Sequence, residues 1–122
     1  MIRKFDHVEM NVEDVEKMKN FFIDNLGFKL DSIIPDEGVF VSSGEALVGF
    51  FNGKPLGITH IAFTVDDVEE SMKELKEKGF EFRRDPPTTN AGTGRMITSV
   101  KDPEGNNWQL AKKVKKGNAE VE

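Results

Sequence analysis

The sequence predicts an α+β fold: two tandem βαβββ modules forming a curled eight-strand sheet, with the helices outside and a cleft inside. Three observations carry this expectation. The first is an internal repeat, in which Asp6-His7-Val8-Glu9-Met10-Asn11-Val12 lies over Thr59-His60-Ile61-Ala62-Phe63-Thr64-Val65 at an offset of 53 residues. Further along, Leu26-Gly27-Phe28 lies over Lys78-Gly79-Phe80 at an offset of 52. The second is that apolar residues switch from period two to helical spacing and back, twice, in the same order. The third is a glycine at the equivalent place after each helical stretch.

Each copy then reads element by element. A strand with alternating apolar residues opens it, at 5–12 and at 59–65. Acidic residues at the next turn, Glu13 and Asp14 or Asp66 and Asp67, favour the positive end of a helix dipole. Val15, Met18, Phe22 and Leu26 form the apolar stripe of the first helix; Val68, Met72 and Leu75 form that of the second. Gly27 and Gly79 stop the helices. A second strand is expected at 28–33 and 80–84. A hairpin follows in each copy, 38–42 with 46–51 around Ser43-Gly44-Glu45, and 96–101 with 107–112 around Asp102-Pro103-Glu104-Gly105-Asn106. The linker 52–57 is too short to separate two independent domains. One domain is therefore expected over 1–115, with module one at 2–52, module two at 57–112, and a tail over 113–122.

Composition narrows the function classes. With 122 residues the chain can bury a real core, and 37% hydrophobic against 32% charged residues is the balance of a soluble globular protein. The absence of Cys removes disulfides, thiolate metal sites and Cys nucleophiles. A formal charge of −5 argues against a nucleic-acid partner. Lys112, Lys113, Lys115 and Lys116 do cluster, but they are read as a solvated, frayed tail. No apolar run reaches the roughly 18 residues of a membrane span. The opening MIRKFDH runs straight into a strand pattern, so no signal peptide is expected, and a cytoplasmic location fits.

The strands place the chemistry. His7, Glu9 and Asn11 share one strand face, while Val8, Met10 and Val12 turn toward the helix. The equivalent face of module two carries His60, Ala62 and Thr64. The only two histidines of the chain thus occupy equivalent positions on the concave side. One strand histidine alone reads as a hydrogen-bonded, half-buried side chain. Two related by an internal repeat point to a divalent metal, because neutral imidazole is the commonest metal ligand.

Three motifs resemble those of the vicinal oxygen chelate superfamily of glyoxalases, ring-cleaving dioxygenases and bleomycin-resistance proteins. They are the run from Asp102 to Leu110 (DPEGNNWQL), the strand His60-Ile61-Ala62-Phe63-Thr64-Val65, and the helix end from Asn20 to Phe28 (NFFIDNLGF). The resemblance covers about residues 2–112. It implies metal ligands on the first and last strands of each module, here His7, His60 and Gln109, with Gly49 where glyoxalases carry Glu. The ion implied is Zn, Ni, Co, Mn or Fe(II). Gln109 can coordinate through its carbonyl oxygen or serve as a pocket amide. Glu9 is a candidate general base, or a group that reaches the metal through water; its bland alternative is a pocket-edge carboxylate paired with Lys or Arg. Glu45 is a weaker candidate. Asn11 stands where glutathione-dependent relatives place Arg, which counts against glutathione.

Residues 85–94, rich in Gly and Pro, are expected to form a lid loop. Arg95 after it can meet an anionic substrate at the cavity mouth. Trp108, with Phe40, Phe50 and Phe51, can line an apolar pocket or simply pack the core. The resemblance implies a lyase or isomerase acting on a small oxygen-rich substrate through an enolate-like intermediate. O₂ chemistry fits less well in this reading, since the carboxylate of a two-His, one-carboxylate set is missing. The alternatives are a metal-free small-molecule binding protein of the bleomycin-resistance type and a ligandless scaffold. A homodimer is expected.

Overall fold

The computed structural model describes residues 2–44 and 46–117. The elements run β1 (Ile2–Val12), α1 (Val15–Leu26), β2 (Lys29–Ile34), β3 (Gly38–Ser43), β4 (Ala46–Asn52), β5 (Gly57–Val65), α2 (Val68–Glu77), β6 (Phe82–Asn90), β7 (Arg95–Lys101) and β8 (Asn107–Lys113). All eight strands join one sheet in the order β2-β3-β4-β1-β5-β8-β7-β6. Each module folds its last strand parallel against its first, β4 on β1 and β8 on β5. The modules meet where β1 pairs antiparallel with β5.

That central ladder is twofold symmetric about the pair Val8–Ile61. His7 faces Ala62, and its repeat equivalent His60 faces Glu9; Phe5 faces Phe63, and Ile58 faces Met10. Two β-bulges follow the same symmetry. Asp6 is the extra residue between the pairs Phe5–Phe63 and His7–Ala62, and Thr59 is the extra residue between Glu9–His60 and Met10–Ile58. A bulge breaks strict alternation, so a bulged side chain escapes the face its number assigns.

The helices form where the capping chemistry asks. Asp14 accepts a hydrogen bond from the backbone N–H of Lys17, and Asp67 accepts from that of Glu70, each satisfying a first-turn donor. Gly27 ends α1 in the left-handed region at φ 76. Helix α1 packs Val15, Met18, Phe22 and Ile23 onto a core of Val12, Val39, Val41 and Phe50. Leu26, expected in that stripe, is exposed, and Ile23, one residue after Phe22, packs on the core instead. Helix α2 packs Val68, Met72 and Leu75 against Val65 and Leu110, as its spacing predicts. Phe50, expected near a pocket, is part of the α1 core, where its ring meets Phe22 edge to face at 5.0 Å.

Two expectations are corrected. Residues 85–94 are not a lid: β6 continues to Asn90 past an irregularity between Arg83 and Thr88, and a tight turn follows. Gly92, Thr93 and Gly94 in that turn are buried. The turn reaches across to module one, since a Cβ on Gly92 would stand 2.2 Å from Ile34 Cδ1 of β2. Nor does the tail fray from residue 113. Strand β8 includes Lys113, the backbone N–H groups of Val114 and Lys115 donate to Gly94 O, and Gly117 is buried beside Gly92 and Thr93. Residues 118–122 of the expected tail, and the candidate Glu45, lie outside the described residues.

Gly94 shows what this packing requires. It has φ +74, and a Cβ there would stand 2.0 Å from Lys115 O. Both backbone strain and overlap oppose any side chain. Gly94→Ala is expected to lower stability by roughly 2–4 kcal/mol, read as a drop in thermal midpoint.

Candidate metal centre

The symmetric ladder brings the two histidines together. Their rings lie 5.6 Å apart between centroids, at 77°. Glu9 stands between them because it is the direct cross-strand partner of His60 and lies two residues beyond His7. Its Oε2 is 3.1 Å from His60 Nε2 and 3.9 Å from His7 Nε2. One donor atom from each of the three residues falls within 4.8 Å of the others.

Burial is graded across the cluster. His7 is 3% exposed, whereas the side chains of His60 and Glu9 are 15% and 21% exposed, so the cluster is reached from the Glu9–His60 side. His60 Nε2 is itself shielded from solvent and has no hydrogen-bond partner, although Glu9 Oε2 is near. An orphaned buried nitrogen facing a carboxylate oxygen is costly unless a proton or a cation is shared between them. A divalent cation can be shared in this way, and this donor set fits one.

The fourth corner is filled differently in the two modules. In module two, Gln109 pairs with Ala62 in the parallel ladder and is buried, and Ser99 faces it from β7. The register sets Gln109 on the same face as Ala62 and His7. In module one, the equivalent pair is Gly49 with Glu9, and Phe40 faces Gly49 from β3. A Cβ on Gly49 would stand 2.5 Å from Phe40 Cε1. The Phe40 ring therefore fills the space a residue-49 side chain would need, and it meets His7 edge to face at 5.4 Å. Glu9 puts a carboxylate one strand over from the corner that Gly49 leaves without a donor.

Behind His7 lies a residue that sequence reasoning missed. The bulge turns Asp6 toward His7, and Asp6 Oδ2 is 2.7 Å from His7 Nδ1. Arg95 closes on the same carboxylate, Nε donating to Oδ2 at 2.8 Å and Nη2 to Oδ1 at 3.3 Å, and Thr64 Oγ1 donates to Oδ1 at 3.2 Å. Burial pushes the Asp6 carboxyl upward, but the hydrogen bonds from His7 and Arg95 and their charges outweigh it and hold the pKa at about 2. An ionised carboxylate only accepts, so Nδ1 of His7 carries the proton and Nε2 presents its lone pair to the cluster. One signal could have found Asp6: strict alternation assigns this charged residue to the helix-facing side with Val8 and Met10.

The remaining candidates lie elsewhere. Arg95, expected at the cavity mouth, is committed to Asp6. Asn11 is not turned to the histidines: its Nδ2 donates to Pro55 O at 3.2 Å, holding the linker between modules. Trp108 belongs by register to the helix-side face with Ile61, and its ring stacks on Phe63 at 5.6 Å. Its Nε1 donates to Asp102 Oδ2 at 3.0 Å. Asp102 also accepts from Asn106 and from the backbone of Glu104, and the indole N–H with these bonds holds its carboxyl well below the usual range. The Asp102–Trp108 run is thus a turn lock. Trp108 still borders a cavity of about 260 Å³ beside His60, together with Thr59, Asn106 and Asn107. A larger hollow of about 450 Å³ lies against α2, lined by Met72 and Pro86, away from the histidines.

The lowered Asp6 pKa fixes a pH dependence. A carboxyl depressed from 3.8 to about 2 on folding stabilises the protein fully above its unfolded value and loses that contribution as pH falls through 2. Asp6→Asn is expected to remove the part of the acid transition between about pH 4 and 2, measured by chemical denaturation at stepped pH.

Comparison with known proteins agrees with the fold. The family model described as Glyoxalase/Bleomycin resistance protein/Dioxygenase superfamily matches residues 4–110. A probable trivalent organoarsenical cleaving enzyme of Bacillus subtilis (strain 168) is 30% identical over 98% of this chain and 85% of its own length. A lactoylglutathione lyase of Arabidopsis thaliana is 28% identical over 88% of this chain, which spans only 44% of that relative. Among solved structures, methylmalonyl-CoA epimerase from Mycobacterium tuberculosis superposes with a TM-score of 0.78 at 17% identity, covering 90% of this chain and 87% of that one. With a family match over most of its length and a repeat that builds the same curled sheet, the chain belongs to the Glyoxalase/Bleomycin resistance protein/Dioxygenase superfamily.

Proposed function

We propose that the chain is a divalent-metal-dependent lyase or isomerase acting on a small oxygen-rich substrate. The observation that carries this reading is the convergence of His7, Glu9 and His60, with His60 Nε2 orphaned at its centre. The two imidazoles and Glu9 would hold the ion, with Gln109 the neutral donor on the same face. When bound, the ion supplies Lewis acidity toward substrate oxygens. Two neutral imidazoles and one carboxylate leave it one net positive charge, more than a two-carboxylate site would.

The chain's own groups do the rest. Unlike Asp6, Glu9 is not held by an Arg among the described residues, and it is the most accessible member of the cluster, so it is the group that takes up or returns a substrate proton. Phe40, Leu47 and Ile34 pack as an apolar cluster on the module-one side of the face and keep water from His7. The cavity beside His60, which Asn106 and Asn107 border, supports a neutral polar substrate tail.

Two narrower readings of the relatives fit less well. Asn11 and Arg95, the side chains expected near an anionic cosubstrate, are engaged with Pro55 and Asp6, which argues against glutathione. The chain has no Cys, and a soft trivalent arsenic centre is a thiolate-seeking one. A second reading, Fe(II) and O₂ chemistry, is favoured by one specific observation: Glu9 supplies the carboxylate that two histidines need for a facial triad.

The test is metal affinity of the stripped chain for Zn, Ni, Co, Mn and Fe(II), wild type against His7→Ala, His60→Ala, the double His7→Ala/His60→Ala variant and Glu9→Gln. Wild type is expected to bind one ion per chain, and each His variant to bind at least ~100-fold more weakly. Wild-type affinity no greater than that of the double His variant sinks the metalloenzyme reading and leaves a metal-free binding protein. Ring cleavage or O₂ uptake by the Fe(II) form alone would select the second reading.

A further inference from the structure

We infer that Asp6 is the positioning residue of this site: clamped by Arg95 from the other module, it fixes His7 with its Nε2 lone pair toward the cluster. The inference rests on the reading of His7 as a metal ligand. Its grounds are geometric. Asp6 and Thr59 are the two bulged residues of the central ladder, each immediately preceding a cluster histidine. Each brings an oxygen to the Nδ1 of the histidine that follows it. The bulges thus repeat one device twice: they turn residue i−1 onto the histidine face, where it can only serve the far nitrogen of the ring.

The two copies are unequal in strength. Asp6 Oδ2 lies 2.7 Å from His7 Nδ1, is anionic, and receives a two-point fork from Arg95. Thr59 Oγ1 is neutral, stands 3.5 Å from His60 Nδ1, and spends its own proton on Glu9 O at 3.1 Å. His7 is therefore the pre-set ligand and His60 the adjustable one. Arg95 has a second effect. It engages both oxygens of Asp6, so this carboxylate serves the ring rather than competing with Glu9 for the ion. Since Arg95 follows the buried turn 92–94, which is packed between β2 and the segment 114–117, the orientation of His7 is tied to closure of the sheet.

A histidine oriented in this way is the usual outer support of a metal ligand, and its loss typically costs 10–100-fold in affinity. Removing Asp6 alone would leave Arg95 buried without its counter-charge, so the informative variant is the pair Asp6→Leu/Arg95→Met, an apolar replacement that well-packed sites tolerate. Two readouts are taken on the whole chain: Zn(II) affinity by chelator competition, and the His7 tautomer by imidazole ¹⁵N NMR of the metal-free protein at a pH where the ring is neutral. The pair is expected to lose about 10–100-fold in Zn(II) affinity and to release His7 from the Nδ1–H form. Asp6→Asn, which keeps an acceptor oxygen, is expected to fall between the two. Thr59→Val is expected to change affinity by less than about threefold, far below the Asp6 effect. Should His7→Ala lose affinity while the folded pair binds within twofold of wild type with His7 still Nδ1–H, the positioning role is wrong and the metal site stands. Should His7→Ala itself bind like wild type, the ligand reading fails instead, and the inference with it.

Discussion

Everything in this structure depends on the antiparallel ladder between β1 and β5. It is the seam between two modules, and its twofold point at Val8–Ile61 fixes where equivalent residues meet. Because side chains of facing residues project to one side, that register alone decides that His7, Glu9 and His60 converge. A slip of β5 by one residue would send His60 to the face opposite His7 and Glu9. The helices, the hairpins and the turn at 92–94 hold the ladder's curvature; the ladder itself holds the chemistry.

The bulges are the second constraint. A regular ladder would pair Asp6 with Phe63 and Thr59 with Met10 and point both away from the histidines. Inserting one extra residue beside each histidine shortens the paired run and brings an oxygen to the back of each ring. The buried ion pair that results costs desolvation, offset by its fork geometry and by the additional bond from Thr64. Such a network is better explained by specificity of placement than by net stability.

Much of the fold was legible in the sequence, because period and punctuation are local. The repeat, the acidic starts of both helices, Gly27 and the hairpin turns are all read from neighbours along the chain, and all hold in the structure. The pairing of His7 with His60 was legible for a different reason: duplication carries three-dimensional information in its offset. What escaped was whatever depends on cross-strand contact. Asp6 lay on the wrong face by alternation, and nothing local marks the bulge. Arg95 and Asn11 were assigned to a pocket by position, and both are claimed by partners 89 and 44 residues away. The Pro-rich 85–94 stretch resembled a lid in composition, but its glycines are small because chain packs against them. The signature around Trp108 is legible as family and silent as chemistry, since its aspartate locks a turn.

The exchange of large and small residues across the seam has one more consequence. A twofold frame by itself would offer a two-oxygen substrate two interchangeable ways to lie across the centre. Here one side presents Glu9 and the Phe40 ring over Gly49, and the other presents Gln109 and Ser99 beside Ala62. Charge, bulk and hydrogen-bonding character all differ between the halves. The duplication supplies the symmetry and these few positions break it, so the site has a handedness that the repeat alone would not give it.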